Sequence, residues 1–254
     1  MAITILQVQD AAFRVGVSLT ELQAAQLVRF RDLLVEWNAR FNLTAITDDA
    51  AILTRHFADS LTVLRVIDQE PQNKAHSVPA SAGSGFTLLD VGSGAGLPGI
   101  PLKIARPGLD MTLMDSTGKK VAFCQAVISD LQLTGLRTVQ GRAEEAARQV
   151  PYRERFDAVV ARAVAPLPTL VEYLLPFARL GGLCVAMKGS DARTEATQAA
   201  RAIRVLGGEL QAVLDVTLPD LPDRRALVVI RKARPTPPAY PRQGGKPRRS
   251  PLVG

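Results

Sequence analysis

The feature that most constrains this chain is a glycine-rich segment that directly follows an apolar run. It reads Asp90-Val91-Gly92-Ser93-Gly94-Ala95-Gly96-Leu97-Pro98-Gly99. Glycine lacks a Cβ atom, so it permits tight turns and a close approach of the backbone to a bound molecule. Such a segment between a strand and a helix is typical of the first βα unit of a nucleotide-binding sheet. The sequence therefore predicts a ligand site at the carboxyl end of this strand.

Short apolar runs alternate with helical stretches after residue 85, which is typical of βα repeats in a mostly parallel sheet. The predicted strands are Phe86–Val91, Met111–Asp115, Thr138–Gln140, Phe156–Ala161, Leu183–Lys188, Leu210–Thr217 and Ala226–Arg231. The predicted helices between them are Ile100–Ala105, Lys119–Leu131, Ala143–Gln149, Pro168–Ala178 and Ala192–Leu206. The last connection, through Pro219 and Pro222, is too short for a crossover helix, so we expect a terminal antiparallel pair. Together these elements predict an α/β class, with a seven-stranded Rossmann-like sheet.

The residues before this sheet have helical periodicity. Ser18 and Glu21 have the spacing of a capping box. Apolar residues then recur every three or four positions in two runs. These residues are Leu27, Phe30, Leu34 and Trp37, followed by Leu53, Phe57, Leu61 and Leu64. We predict a small helical N-terminal cap over residues 1–67, a Pro/Gly/Ser-rich linker over 68–85 and an α/β domain over 86–232.

The positive charge of the chain is concentrated at its end, which we treat as a basic Pro/Gly-rich tail over residues 233–254. The net charge is +7, and residues 231–254 carry seven cations and no acid, leaving 24 basic and 24 acidic residues elsewhere. Lysine and arginine gain affinity for a polyanion by releasing its counterions, so this composition indicates a polyanion-binding arm. A disordered solubilising tail is the alternative. Tyr240, between these cations, favours RNA because its ring can stack on a base.

The remaining composition excludes several classes of protein. Cys124 and Cys184 lack the spacing of a zinc site or a disulfide framework, so we predict no metal. No apolar run approaches the roughly 20 residues that span a bilayer, and residues 1–8 lack a basic signal-peptide start. We therefore expect a cytoplasmic protein without a membrane partner.

Two ligands compete for the glycine-rich segment. Gly94, Gly96 and Gly99 satisfy the GxGxxG pattern that binds the pyrophosphate of dinucleotides. Asp90, however, stands two residues before the first glycine, where a carboxylate would repel a pyrophosphate and attract the cationic end of S-adenosylmethionine. Asp115, at the end of the second strand, suits the ribose hydroxyls of either cofactor. We therefore favour a methyltransferase over an oxidoreductase.

The end of the fourth strand should face the reacting atoms. Arg162 stands there, without the Asn/Asp-Pro-Pro-aromatic motif of exocyclic amine methyltransferases or the cysteine of pyrimidine-carbon methyltransferases. A ring nitrogen of guanine is already nucleophilic and needs alignment more than a general base. Arg162 can orient a base or a phosphate, and a salt bridge supporting the cleft is the equally open alternative.

Several motifs together resemble the glucose-inhibited division protein B family, from about Ser18 to Leu252. They are Trp37-Asn38 with Phe41-Asn42-Leu43-Thr44, Arg55 through Ser60, Asp90 through Pro101, Asp115-Ser116 with Gly118-Lys119-Lys120, Arg142 through Glu145, Arg162-Ala163, Lys188-Gly189, and in the tail Tyr240-Pro241-Arg242 with Gly245-Lys246-Pro247 and Pro251-Leu252. The resemblance implies methylation of guanine N-7 in 16S ribosomal RNA. It also implies cofactor contacts at Gly92, Leu97, Asp115, Ala143, Glu144 and Arg162.

The site residues divide into three sets. The cofactor set comprises Asp90, Gly92, Gly94, Gly96, Leu97, Asp115, Ala143, Glu144 and Arg162. The RNA set comprises Asn38, Asn42, Arg55, His56, Lys188, Tyr240, Arg242, Lys246, Arg248 and Arg249. Arg162 is the predicted catalytic residue, and we expect a monomer that acts on 16S ribosomal RNA, within the small subunit. The competing hypotheses are a small-molecule methyltransferase, a nicotinamide-dependent oxidoreductase and an RNA-binding assembly factor without turnover.

Overall fold

Seven strands form one mixed sheet in the computed structural model, which describes residues 3–70, 85–218, 221 and 223–253. The strands are β1 (Thr87–Val91), β2 (Asp110–Asp115), β3 (Leu136–Gln140), β4 (Phe156–Arg162), β5 (Ala178–Lys188), β6 (Gly208–Val216) and β7 (Arg225–Lys232). Their order is β3-β2-β1-β4-β5-β7-β6. β7 is antiparallel to β5 and β6, and the other pairs are parallel. The seven strands and the terminal antiparallel pair are therefore confirmed, whereas residues 71–84 of the predicted linker lie outside the described residues.

Helices precede the sheet and cover its faces. The N-terminal helices are α1 (Ile5–Arg14), α2 (Glu21–Phe41), α3 (Asp49–Ala51), a π-helix (Ile52–Ala58), α4 (Asp59–Leu61) and α5 (Leu64–Ile67). The later helices are α6 (Gly99–Ala105), α7 (Gly118–Asp130), α8 (Ala143–Ala146), α9 (Leu167–Leu174), α10 (Ala192–Gln198), α11 (Ala200–Val205) and α12 (Lys246–Arg249). None of the described helices is long and apolar enough to cross a membrane.

The strand order reverses between β1 and β4, and this position determines where a ligand can bind. β1 pairs in parallel with β2 on one side and with β4 on the other. Leu88 and Leu89 are both fully buried, in the hydrophobic clusters on opposite faces of the sheet. Helices therefore cover both faces, which leaves the carboxyl edge at β1 and β4 as the crevice where open α/β sheets bind ligands.

Aromatic rings pack the N-terminal helices against the helix that follows β2. Phe30 on α2 lies 6.2 Å from Phe123 on α7, and Trp37 lies 5.6 Å from the same ring, measured between ring centroids. Phe57 on the π-helix lies 5.7 Å from Phe30. This packing fixes the π-helix beside the carboxyl edge of the sheet.

Four local predictions were wrong. Predicted helix Ala143–Gln149 ends at Ala146. The capping box at the start of α2 is formed by Thr20 and Gln23, two residues after the predicted pair of Ser18 and Glu21. Both pairs combine a hydroxyl side chain with a side chain that can accept the N-cap N–H. Predicted helix Pro168–Ala178 ends at Leu174, and Ala178 already begins β5. Predicted helix Ala192–Leu206 is divided into α10 and α11 at Ala199.

Candidate active site

The glycine-rich loop between β1 and α6 depends on left-handed backbone. Gly92 has φ +71° and Gly96 has φ +77°. A Cβ atom on Gly92 would lie 2.6 Å from Cγ2 of Val164, and one on Gly96 would lie 2.2 Å from Cδ1 of Ile100. These two positions therefore need glycine for both conformation and space.

Asp115 at the end of β2 ties two loops together. Its Oδ2 accepts the Gly94 N–H at 2.9 Å, and its Oδ1 accepts the Thr117 N–H at 2.8 Å. The residue is 7% exposed. An ionised carboxylate has about four lone-pair positions, so both oxygens can also accept hydroxyl donors from a ligand.

Asp90 lies beneath the loop instead of facing the ligand crevice. Its Oδ2 accepts the Gly99 N–H at 2.8 Å, and the residue is fully buried. Burial raises the pKa of Asp90 to about 7. Its other oxygen, Oδ1, is buried without a hydrogen-bond partner among the described residues. The burial of Asp90 and its bond to Gly99 make it a support for the loop, and its contact with the cofactor stays a prediction.

A cavity of about 560 Å³ opens above this loop, and we call it the glycine-loop cavity. Such a volume is ordinary for a cofactor site. Five residues of the predicted cofactor set line it, namely Gly92, Asp115, Ala143, Glu144 and Arg162. The other four do not line it: Leu97 and Gly96 are buried, Asp90 supports the loop, and half-buried Gly94 bonds to Asp115.

A second cavity, of about 340 Å³, adjoins the first, and we call it the histidine cavity. Its lining includes Arg55, His56, Asp59, Lys188 and Glu195. Arg162 and Ala163 line both cavities. The two cavities therefore meet at the end of β4, where the sequence predicts the reacting centre.

Arg162 at this junction is held from the π-helix side. Its Nη1 donates to the carbonyl oxygen of Arg55 at 2.8 Å and to Oδ2 of Asp59 at 3.3 Å. The next residue, Ala163, has φ +54°, which is a strained conformation for a side chain with a Cβ atom. Strain of this kind concentrates at functional sites.

His56 is a buried polar group of the histidine cavity. It is 4% exposed, and its Nε2 lies 3.0 Å from Oγ1 of Thr44. Its Nδ1 has no hydrogen-bond partner among the described residues. Burial, followed by the charge of Arg162, lowers the pKa of His56 to about 4. The imidazole is therefore neutral at pH 7.

Among four further residues of the predicted RNA set, the side chains of Asn38, Arg55 and Lys188 have partners within the protein. Asn38 accepts the Thr44 N–H at 2.9 Å, and exposed Asn42 ends α2 in left-handed backbone. Arg55 pairs with Asp223 at 3.0 Å while it lines the histidine cavity. Lys188 pairs with Glu195 at 2.7 Å in the same cavity. Asn38 and Asn42 thus shape the turn after α2, whereas Arg55 and Lys188 belong to the site.

The tail folds back onto the sheet domain, so its cations are not equivalent. Arg242 pairs with buried Glu172 at 2.7 Å, and Tyr240 packs against a hydrophobic cluster. Exposed Arg248 and Arg249 line the glycine-loop cavity. Lys246 is exposed on α12. A wholly disordered tail is excluded for these residues.

Sequence reasoning missed three carboxylates that organise the site. They are Asp59, Glu195 and Glu172, and none of them belongs to the predicted site residues. Glu195 Oε2 bonds to both Lys188 and the Leu167 N–H, and Glu172 is fully buried. Both acids lie within helices, where a single carboxylate gives no signal until its partner in another element is known.

The comparisons with known proteins decide the enzyme class. Residues 23–225 match the GidB family model, described as rRNA small subunit methyltransferase G. The chain belongs to this family. It is 41% identical to Ribosomal RNA small subunit methyltransferase G of Pelotomaculum thermopropionicum over 99% of this chain and 100% of that protein. It is 46% identical to the protein of that name from Chloroflexus aggregans over 93% of each chain.

A solved structure supports the fold alone. It is a structural-genomics protein from Corynebacterium glutamicum, with 17% identity, a TM-score of 0.51, and coverage of 91% of this chain and 98% of that one.

Membership of the GidB family confirms a ribosomal RNA methyltransferase that uses S-adenosylmethionine and excludes the oxidoreductase alternative. The glycine-loop cavity fits this cofactor. Its volume is adequate, Asp115 presents hydroxyl acceptors, and Gly92 keeps the wall free of a Cβ atom.

Proposed function

We propose that this protein transfers a methyl group from S-adenosylmethionine to guanine N-7 of 16S ribosomal RNA. The cofactor occupies the glycine-loop cavity, and the target base enters the histidine cavity. The observation that supports this assignment is the shared wall of Arg162 and Ala163. A donor in one cavity and an acceptor in the other would meet beside these two residues.

The histidine cavity has the size and polarity of a pocket for an extruded base. Enzymes that act on a base take it out of the stack and recognise its edge with hydrogen bonds. The cavity offers acceptors on Asp59 and Glu195, donors on Arg162 and Lys188, and a neutral imidazole on His56. This set can bind the mixed donor and acceptor edge of guanine.

Methyl transfer to guanine N-7 requires mainly that the protein align the methyl group with that nitrogen. S-adenosylmethionine supplies an electrophilic methyl group, and guanine N-7 already carries a nucleophilic lone pair, so no proton has to be removed. The residues at the junction position the base, with Arg162 held by Asp59 and the Arg55 carbonyl oxygen. The carboxylates of Asp59 and Glu195 face the cavity in which the base becomes cationic, and they favour that charge.

The cellular setting follows from this substrate. We infer that the protein acts as a monomer in the cytoplasm and that it recognises 16S ribosomal RNA within the small subunit. The site residues assigned above belong to the same proposal, and in the tail they include the exposed cations Lys246, Arg248 and Arg249.

Mass mapping of 16S ribosomal RNA from cells that lack this protein tests the proposal. We expect one 7-methylguanosine to be lost and then restored by the wild-type chain. Purified protein with S-adenosylmethionine should add one methyl group to small subunits from those cells. An unchanged 7-methylguanosine inventory, or methylation at another atom, would reject the proposed reaction.

A further inference from the structure

The carboxylate of Glu172 on α9 anchors the C-terminal segment. Its Oε1 accepts the backbone N–H of Arg242 at 2.7 Å, and its Oε2 accepts from Nη2 at 2.7 Å. Nε of Arg242 donates to both oxygens, at 3.0 and 3.1 Å. The Glu172 side chain is 0% exposed. A forked arginine on a fully buried carboxylate gives a strong and directional contact.

Further hydrogen bonds hold the chain on either side of Arg242. Arg153 Nη1 donates to the Tyr240 carbonyl oxygen at 2.9 Å, and Arg148 Nη1 donates to that of Pro241 at 2.8 Å. Thr169 Oγ1 on α9 donates to the Pro247 carbonyl oxygen at 3.1 Å. These contacts fix α12 against α9, at one side of the glycine-loop cavity.

This anchoring places two arginines at the rim of that cavity. Arg248 and Arg249 line it together with Lys120 and Arg142. Both tail arginines are exposed, and within the described ranges neither forms an ion pair. The carboxylates of the same cavity, Asp115 and Glu144, are buried at its floor. Arg142 pairs with Glu144 at 3.9 Å, so Arg248 and Arg249 are the exposed arginines of this rim that no described carboxylate neutralises.

We propose that the Glu172–Arg242 ion pair positions Arg248 and Arg249 at this rim, where they bind an RNA backbone phosphate beside the target nucleotide. The inference rests on the proposed function, which brings RNA to the adjoining histidine cavity. Arginine binds phosphate with a forked geometry, and several exposed cations suit a polyanion better than the single carboxylate of the cofactor. Arg242 itself is then a positioning residue and does not contact RNA.

The double variant R248A/R249A tests the phosphate contact. Its affinity for small subunits from cells lacking the protein is measured against salt concentration, beside the affinity for S-adenosylmethionine. For two phosphate contacts in single-stranded RNA, the slope of log K against log salt should become shallower by about 1.4. Cofactor affinity should stay within about twofold of the wild-type value. The matched control R204A/R234A removes two exposed arginines that line neither cavity, and should leave the slope unchanged.

Two outcomes would overturn the inference. An unchanged salt slope would show that the pair does not bind phosphate. A large loss of cofactor affinity with an unchanged slope would assign the arginines to the cofactor carboxylate. Both outcomes are separate from failure of the proposed function, which would appear as wild-type protein that makes no 7-methylguanosine.

The variant E172Q/R242M tests the positioning role without leaving a buried unpaired charge, which would endanger folding. We expect it to reduce the salt slope as R248A/R249A does. Combining the two double variants should add little further change, because both act through one contact. A folded E172Q/R242M protein with the wild-type slope would show that the ion pair is structural only.

Discussion

Arg162 and Asp59 form a largely buried ion pair, 3.3 Å between Nη1 and Oδ2, at the place where the two cavities meet. Their side chains are 17% and 9% exposed. Burial raises the pKa of Asp59, whereas the charge of Arg162 opposes that shift. The arginine is therefore both a wall of the site and the partner of a buried acid, so its two roles must be separated by experiment.

Arg162→Lys should separate them. Lysine keeps a positive charge near Asp59 but replaces the planar guanidinium, whose Nη1 bonds to the Arg55 carbonyl oxygen, with a smaller ammonium group. We expect kcat to fall by about 10²-fold through misalignment, with little change in thermal stability. Arg162→Ala is less informative, because it leaves Asp59 unpaired at a cost of about 3–5 kcal/mol.

The matched control is Arg179→Lys, which alters an ion pair with Asp157 outside both cavities. It should leave kcat near the wild-type value. If Arg162→Lys lowered the free energy of unfolding by as much as it raised the activation free energy, Arg162 would be a structural residue only.

Gly92→Ala should weaken cofactor binding. The new Cβ atom would lie 2.6 Å from Val164 Cγ2, in backbone with φ +71°. Left-handed backbone alone costs about 1–2 kcal/mol for a residue with a Cβ atom. We expect the affinity for S-adenosylmethionine, measured by isothermal titration, to fall at least tenfold.

Gly16→Ala is the control for backbone strain. Gly16 has φ +85°, and nothing lies within 4 Å of its added Cβ atom. This variant should lose stability while its cofactor affinity is unchanged. Equal loss of cofactor affinity in both variants would mean that strain acts globally and not at the loop.

The seven strands and their ligand edge could be predicted because local patterns encode them. Buried strands such as β4 are continuous apolar runs, and the glycine loop follows β1 directly. The side of the loop on which Asp90 lies could not be predicted, since it depends on the bond to Gly99 formed after folding. The positive charge of the tail could be predicted from the sequence. That Arg242 is paired within the protein while Arg248 is exposed could not. This difference depends on Glu172, which is 70 residues from Arg242 in sequence.

Asp115→Asn should reduce binding of S-adenosylmethionine more than it reduces stability. The amide keeps one acceptor for the Gly94 or Thr117 N–H but places a donor against the other. Hydrogen bonds to charged groups contribute about 1.5–3 kcal/mol, so we expect a 10- to 100-fold loss of affinity. Titration with NAD should give no heat for the wild-type protein. Comparable binding of NAD would contradict the assignment of the cavity.

His56 should make acid pH destabilising. Its pKa is about 4 in the folded protein, below the usual 6.5. Between these values the unfolded chain binds a proton that the folded chain excludes, so the His56 contribution is complete above pH 6.5 and is lost as the pH falls towards 4. Relative to His56→Gln, the wild-type free energy of unfolding should fall by about 2 kcal/mol from pH 7 to pH 4.5.

The comparison with His56→Gln is essential because Asp90 also titrates in this pH range. Its pKa is raised to about 7, so the folded chain binds its proton first and stability rises as the pH falls below 7. The two groups have opposite slopes, so their contributions to wild-type stability largely cancel over this range. Urea unfolding of wild type, His56→Gln and Asp90→Asn at both pH values resolves them. If the difference between wild type and His56→Gln did not vary with pH, His56 would titrate normally and would not be the buried neutral group of the cavity.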